Sequence, residues 1–236
     1  MPKSPIDDDD YSLREDASAF ISGNSLERAH FHEGLGNFVA SWDAAEAAIK
    51  EAELFRGKVV FASVKELRYA GRRFTDALKL MLQQCGPEQA DEALQLIREA
   101  SENCIRARND AVDALVSYLY RYFNQVKNDY GTVLMHAYFP DFMQLFVRLN
   151  ELAHVIPASR SNERGRRNEI YDGIVKEDIP QLRLLYEKIE TSKNLIDEDT
   201  GRERDAQRRK DRINQGIGVL GLLLTAIGIA LTVLAL

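Results

Sequence analysis

Two groups of polar residues in this 236-residue chain are of types that could do chemistry. Arg148 and His154 stand six positions apart in a stretch with helical periodicity. An arginine presents a rigid fork of N–H donors suited to phosphate or carboxylate. A histidine, with an ordinary pKa of about 6.5, can take or give a proton near neutrality. Together they have the parts for acid–base attack on a phosphodiester, with His154 moving the proton and Arg148 steadying the charge. The second group is Arg160, Arg164, Arg166 and Arg167, the dense basic patch within ASRSNERGRR. Read as a loop, it could hold a nucleotide, an RNA end or an acidic partner. The structural alternative is a solvated segment, or one paired with acids of its own domain.

The R-x5-H spacing resembles the R-x4-6-H pattern of the HEPN-domain ribonucleases, which are all-helical. The resemblance covers two residues and departs from the usual form at Leu149, where a polar residue commonly follows the arginine. It implies a catalytic role for Arg148 and His154. The alternative is a surface arginine and a helix-terminal histidine. The remaining histidines add no second site. His30 and His32 are two apart and face different sides of a helix, and His136 stands alone. Neither Cys85 nor Cys104 has a metal-ligand partner at short spacing, so no metal or cofactor is expected. There is no glycine-rich phosphate loop, nucleophile elbow or H-E-x-x-H. A non-enzymatic chain is therefore the expectation.

The next feature is membrane chemistry. Gly216 to Leu236 holds no charge, no Asn or Gln and no Pro. About 20 apolar residues, at ~1.5 Å each, cross the hydrocarbon core of a bilayer. We read residues 213–236 as a transmembrane anchor. Gly218, Gly221, Thr225, Gly228, Thr232 and Ala235 fall at spacings of three and four, a seam of small residues on one helix face. In lipid, such seams are the usual basis of helix association. Homo-oligomerisation through this seam is expected, beside the plainer reading that small residues are common in membrane helices. Arg208, Arg209, Lys210 and Arg212 precede the anchor, at the membrane surface, and by the positive-inside rule place the body in the cytoplasm. They could also contact anionic lipid head groups.

Charge distribution and periodicity give the segments that carry these residues. Net charge is −6, but from Gly201 onward six basic residues outweigh three acidic ones, leaving −9 on the rest. So acidic a body is a poor partner for nucleic acid. Residues 1–24 read as a disordered acidic tail around Asp7–Asp10, without the pattern of a signal peptide. A helix from Ser25 carries the stripe Phe31, Leu35, Phe38, Trp42, Ala45, Ile49 and Ala52 and ends at Gly57. A second, about 58–84, places Val60, Val64, Leu67, Gly71, Phe74, Leu78 and Met81 on its core face. A long third helix, about 87–128, has Ile97, Ala100, Cys104, Ala107, Ala111, Ala114, Tyr118 and Tyr122 on one face, with Ile105, Val112, Leu119 and Phe123 on a second. A helix from Asp141 ends before Ile156-Pro157, and a last bundle helix opens at Asp178-Ile179-Pro180.

The expected architecture is all-α: an elongated antiparallel helical bundle over 25–195, a charged stalk or flexible linker over 196–212 and one C-terminal transmembrane helix. The expected function is a membrane effector or scaffold, with an unknown protein or small-ligand partner, at the bacterial inner membrane. A membrane-disturbing defence effector is one form of it. A tethered HEPN-like ribonuclease and a passive adaptor are the alternatives.

Overall fold

The computed structural model describes residues 25–82 and 87–202, which are helical throughout apart from short connections. The described chain is a helical bundle with no strand among these residues. Its elements are α1 (Ser25–Arg56), α2 (Phe61–Leu82), α3 (Pro87–Tyr130), α4 (Thr132–Tyr138), α5 (Phe142–Ser159), α6 (Arg164–Gly173), a π-helical turn (Ile174–Asp178) and α7 over residues 179–202. They form two compact units. The first takes its described residues from 25 to 124 and 144 to 180, the second from 125 to 143 and 181 to 202.

In the first unit α1 ends where the sequence places its stop. Gly57 has φ 61°, and its N–H returns to the Glu53 carbonyl at 2.8 Å. That left-handed conformation costs glycine little. The Glu53 carboxylate then accepts the backbone N–H of Val60 at 3.1 Å, tying α1 to the entry of α2. Phe38, Ala45, Ile49 and Ala52 are buried as the periodicity requires. Gly34 marks a close approach, because a Cβ there would meet Leu94 Cδ1 of α3 at 2.9 Å. Ile97, Ala100, Cys104, Ala107 and Ala111 of α3 are all fully buried. The burial pushes the Cys104 thiol up to about 11.

Helix α2 departs from its expected stripe. Its buried residues are Ser63, Ala70 and Ala77, whereas Val64 and Leu78 remain 43% and 38% exposed. Seven-residue spacing of small side chains lets a neighbouring backbone come close, and this contact outweighs the burial of the larger aliphatic groups. Phe74 is the shared residue, stacked on Phe38 with ring centroids 4.5 Å apart.

Helix α5 runs past Pro157 to Ser159, beyond the expected end. The proline removes one interior hydrogen bond, but so near the C-terminus the chain recovers with tighter turns. The N–H groups of Arg160, Ser161 and Asn162 reach the carbonyls of Pro157, Ala158 and Ser159. The expected loop over 158–167 shrinks accordingly, and Arg164, Arg166 and Arg167 belong to the first turn of α6. Nor does a new helix open at Ile179-Pro180. Pro180 has no N–H for the carbonyl of Lys176, and its ring crowds that carbonyl. The π-helical turn absorbs this, with the N–H of Ile179 bonding the Ile174 carbonyl five residues back. The helix thus continues unbroken from 164 to 202.

The second unit holds the end of α3, α4 and most of α7. Gly131, at φ 80°, separates α3 from α4. Met135, Leu182, Ile189 and Ile196 are fully buried. The Tyr130 hydroxyl donates to Asp197 at 2.7 Å, and the Tyr138 hydroxyl donates to Asp199. The first part of the stretch expected to be a solvated stalk is therefore helical and held through its acids. Residues 203–212, and with them Arg208, Arg209, Lys210 and Arg212, lie outside the described residues. So do 1–24, Cys85 and the 213–236 segment, including Gly218, Gly221, Thr225, Gly228, Thr232 and Ala235. Among the described residues no helix is long and apolar enough to cross a membrane.

Candidate functional site

The basic patch of 160–167 lies in the first unit against the acidic face of α3. Glu102 and Asp113 are eleven residues apart on that helix, about three turns, and therefore share a face. Arg160 Nη2 donates to Asp113 Oδ2 at 3.0 Å, and Arg164 Nη1 donates to Glu102. The hydroxyl of Tyr171 on α6 takes the other oxygen of Asp113 at 2.6 Å, so both oxygens of that carboxylate have a protein donor. Arg167 lays its guanidinium over the Tyr171 ring, 5.5 Å from the centroid. Arg166 is exposed. Sequence reasoning named the arginines but missed Glu102, Asp113 and Tyr171. The eleven-residue acidic spacing on α3 was the available signal.

Titration follows from this packing. Burial, reinforced by the bond to Asp113, pushes the Tyr171 hydroxyl up to about 12. The hydrogen bond to Asp113 raises Arg160 above its ordinary value. Asp110 is raised by burial first, then by the charges of Asp113 and Glu66, with Arg167 and Arg160 opposing. Its ionised form is thus a cost to the fold. The native state keeps the Asp110 proton to higher pH than the unfolded chain does. Its contribution to stability is greatest below the ordinary carboxylate range and falls as pH rises through the folded titration. Asp110→Asn is expected to stabilise the protein at pH 7 by up to about 0.5 kcal/mol, since the half-buried group is still screened by water. The gain should vanish near pH 3, below the ordinary carboxylate range. Urea midpoints at the two pH values check this, and an equal gain at both would refute the assignment.

Beside the cluster runs a groove of about 380 Å³ between α3 and α5. Val116, Ala153, Ile156 and Pro157 give it apolar walls; Ser117, Tyr120, Arg121 and Arg160 supply its polar edge. Arg121 is anchored through Nε to the Ser117 carbonyl at 3.3 Å.

Arg148 and His154 sit on α5 in the same unit. Six residues along an α-helix is about 9 Å of rise and a separation of roughly 120° around the axis. Arg148 is engaged elsewhere. Its Nε and Nη2 grip the two oxygens of Asp178 at 2.8 and 3.1 Å, and Nη1 reaches Glu151 at 3.0 Å. These bonds, the one to Asp178 foremost, raise its pKa. His154 is exposed. No group of three or more His, Cys, Asp or Glu capable of holding a metal occurs among the described residues. Compared with protein families, curated proteins and solved structures, the chain matches none.

Proposed function

We propose that this chain is a non-enzymatic effector or scaffold acting at a membrane. A cytoplasmic helical body recognises a ligand or partner, and a single C-terminal transmembrane helix brings copies together. The observation that carries this reading is the uncharged run Gly216–Leu236, with its small residues at alternating spacings of three and four. The basic residues Arg208, Arg209, Lys210 and Arg212 orient it and put the body on the cytoplasmic side, in a bacterium at the inner membrane. The body also favours recognition over catalysis. Arg148 is committed to Asp178 and Glu151. Assembly of anchors, with the body as an elongated antiparallel bundle above them, would build a complex or disturb the bilayer.

Cross-linking in membranes tests the assembly. Leucine at both Gly221 and Gly228 should reduce cross-linked oligomers about tenfold, equivalent to ~1.4 kcal/mol of helix packing. The variant should stay in the membrane fraction. Removing residues 216–236 should release the protein from that fraction. Undiminished cross-linking would defeat the seam, and membrane retention without the run would defeat the anchor. RNA cleavage by the purified chain, lost in His154→Ala, would replace this reading with the ribonuclease one.

A further inference from the structure

Ligand recognition is one half of the proposed function, and the inference drawn here rests on that half. We infer that the α3–α5 groove binds a small organic phosphate with an apolar or aromatic body, its phosphate held by Arg121 and Arg160. Charge is the first argument. The chain before Gly201 carries −9, yet the groove is lined by two arginines and one acid, Asp113. That acid is already satisfied: Arg160 takes one oxygen and the Tyr171 hydroxyl the other. Arg121 has no acidic partner among the described residues. The groove is therefore an electropositive spot on an acidic body, where an anion is drawn in and the surrounding surface repels it.

Preorganisation is the second argument. Each arginine uses one N–H to fix itself to the protein, Arg121 Nε on the Ser117 carbonyl and Arg160 Nη2 on Asp113. A guanidinium has five N–H donors, so each keeps others for a ligand, already oriented by the anchoring bond. Fixing such a side chain beforehand lowers the entropy lost on binding. The Ser117 and Tyr120 hydroxyls line the same groove and can add donors.

The shape of the groove agrees. At about 380 Å³ the groove falls within the range of small-molecule sites, which bury an apolar body and fix it with a few polar groups. Ile156, Pro157 and Val116 offer the apolar surface. The run-on of α5 past Pro157 puts Arg160 one residue beyond the helix, at the end of this wall. Inorganic phosphate would satisfy the arginines but leave the walls wet, and an uncharged aromatic would fill the walls but leave the arginines unmatched.

The test is isothermal titration of the full chain in an uncharged detergent, where no lipid phosphate competes. The probes are 1-naphthyl phosphate, 1-naphthol and inorganic phosphate. The ester should bind at least tenfold more tightly than either part. Arg121→Gln, at an exposed position, should weaken it about tenfold, the loss typical of a charged hydrogen bond. Ala153→Trp, which fills the groove from the α5 side without altering charge, should abolish binding. Equal affinity for the naphthol, no binding of the ester, or unchanged binding in both variants would overturn the inference. Cross-linking of the same samples separates the two claims. Lost ester binding with oligomers intact condemns the groove alone, and lost oligomers with binding intact condemn the assembly alone.

Discussion

Tyr171→Ala is expected to lower stability by about 4 kcal/mol, the usual scale for deleting a large buried aromatic ring. The side chain is fully buried, and its hydroxyl holds one of the two oxygens of Asp113. Truncation therefore opens a cavity and strips Asp113 of a partner while Arg160 remains. Tyr171→Phe separates the two effects. It keeps the ring and loses only the hydrogen bond, at about 1–2 kcal/mol. The phenylalanine variant also has a pH signature. In the fold the Tyr171 hydroxyl keeps its proton up to about 12, against 10.0 ordinarily, because burial and Asp113 both oppose its ionisation. A raised pKa means that the contribution is fully present below pH 10 and drains away as pH rises from 10 to 12. Tyr130, pushed to about 12 by burial and by its bond to Asp197, acts in the same sense in the second unit. Urea denaturation at pH 8 and pH 11 should show a steep alkaline loss in the natural protein and a shallower one in Tyr171→Phe. Parallel losses would mean that the Tyr171–Asp113 bond carries no such linkage.

Arg148→Met is the second large effect, at about 2–3 kcal/mol. Asp178 has a side chain only 10% exposed, and Arg148 covers both its oxygens. Methionine keeps most of the aliphatic stem but leaves a nearly buried carboxylate without its counter-charge. Breaking a fully buried pair costs about 3–5 kcal/mol. Arg148 is 44% exposed, so water offsets part of that here. Asp178→Asn should cost less, about 1 kcal/mol, because Arg148 retains Glu151 and the amide oxygen still accepts a bond. Chemical denaturation of the two variants gives the order. A milder effect for Arg148→Met than for Asp178→Asn would contradict the account. The result bears on the ribonuclease alternative too. Loss of activity in Arg148→Met would arise from an unsettled fold as readily as from chemistry. The exposed His154, whose alanine variant should change stability by less than about 0.5 kcal/mol, is the sound probe.

Local and periodic features were legible from residue order alone. Gly57 and Gly131 stop helices because only the backbone at those positions must turn left-handed. The small-residue face of α3, Ile97 to Ala111, is buried because a spacing of three and four puts those side chains on one side whatever lies opposite. The uncharged Gly216–Leu236 run and the acidic body are likewise statements about composition, legible without a fold. The Arg160–Arg167 patch could be picked out by its density, but its meaning could not.

Tertiary structure decided which of several plausible faces each helix buries and which charges meet. Hydrophobicity favoured Val64 and Leu78 on α2, yet Ser63 and Ala77 are inside, since burial depends on how closely the neighbour can approach. The join from α6 through the π-helical turn into α7 was hidden because Pro180 looks like a start when read locally and becomes a tolerated interruption only when both flanking segments are packed. Arg148 on Asp178, Arg160 on Asp113 and Arg164 on Glu102 link residues 30, 47 and 62 positions apart. No periodicity spans such distances. They are set by which helix surfaces come together, and a charge's role depends on whether the fold supplies it with a partner.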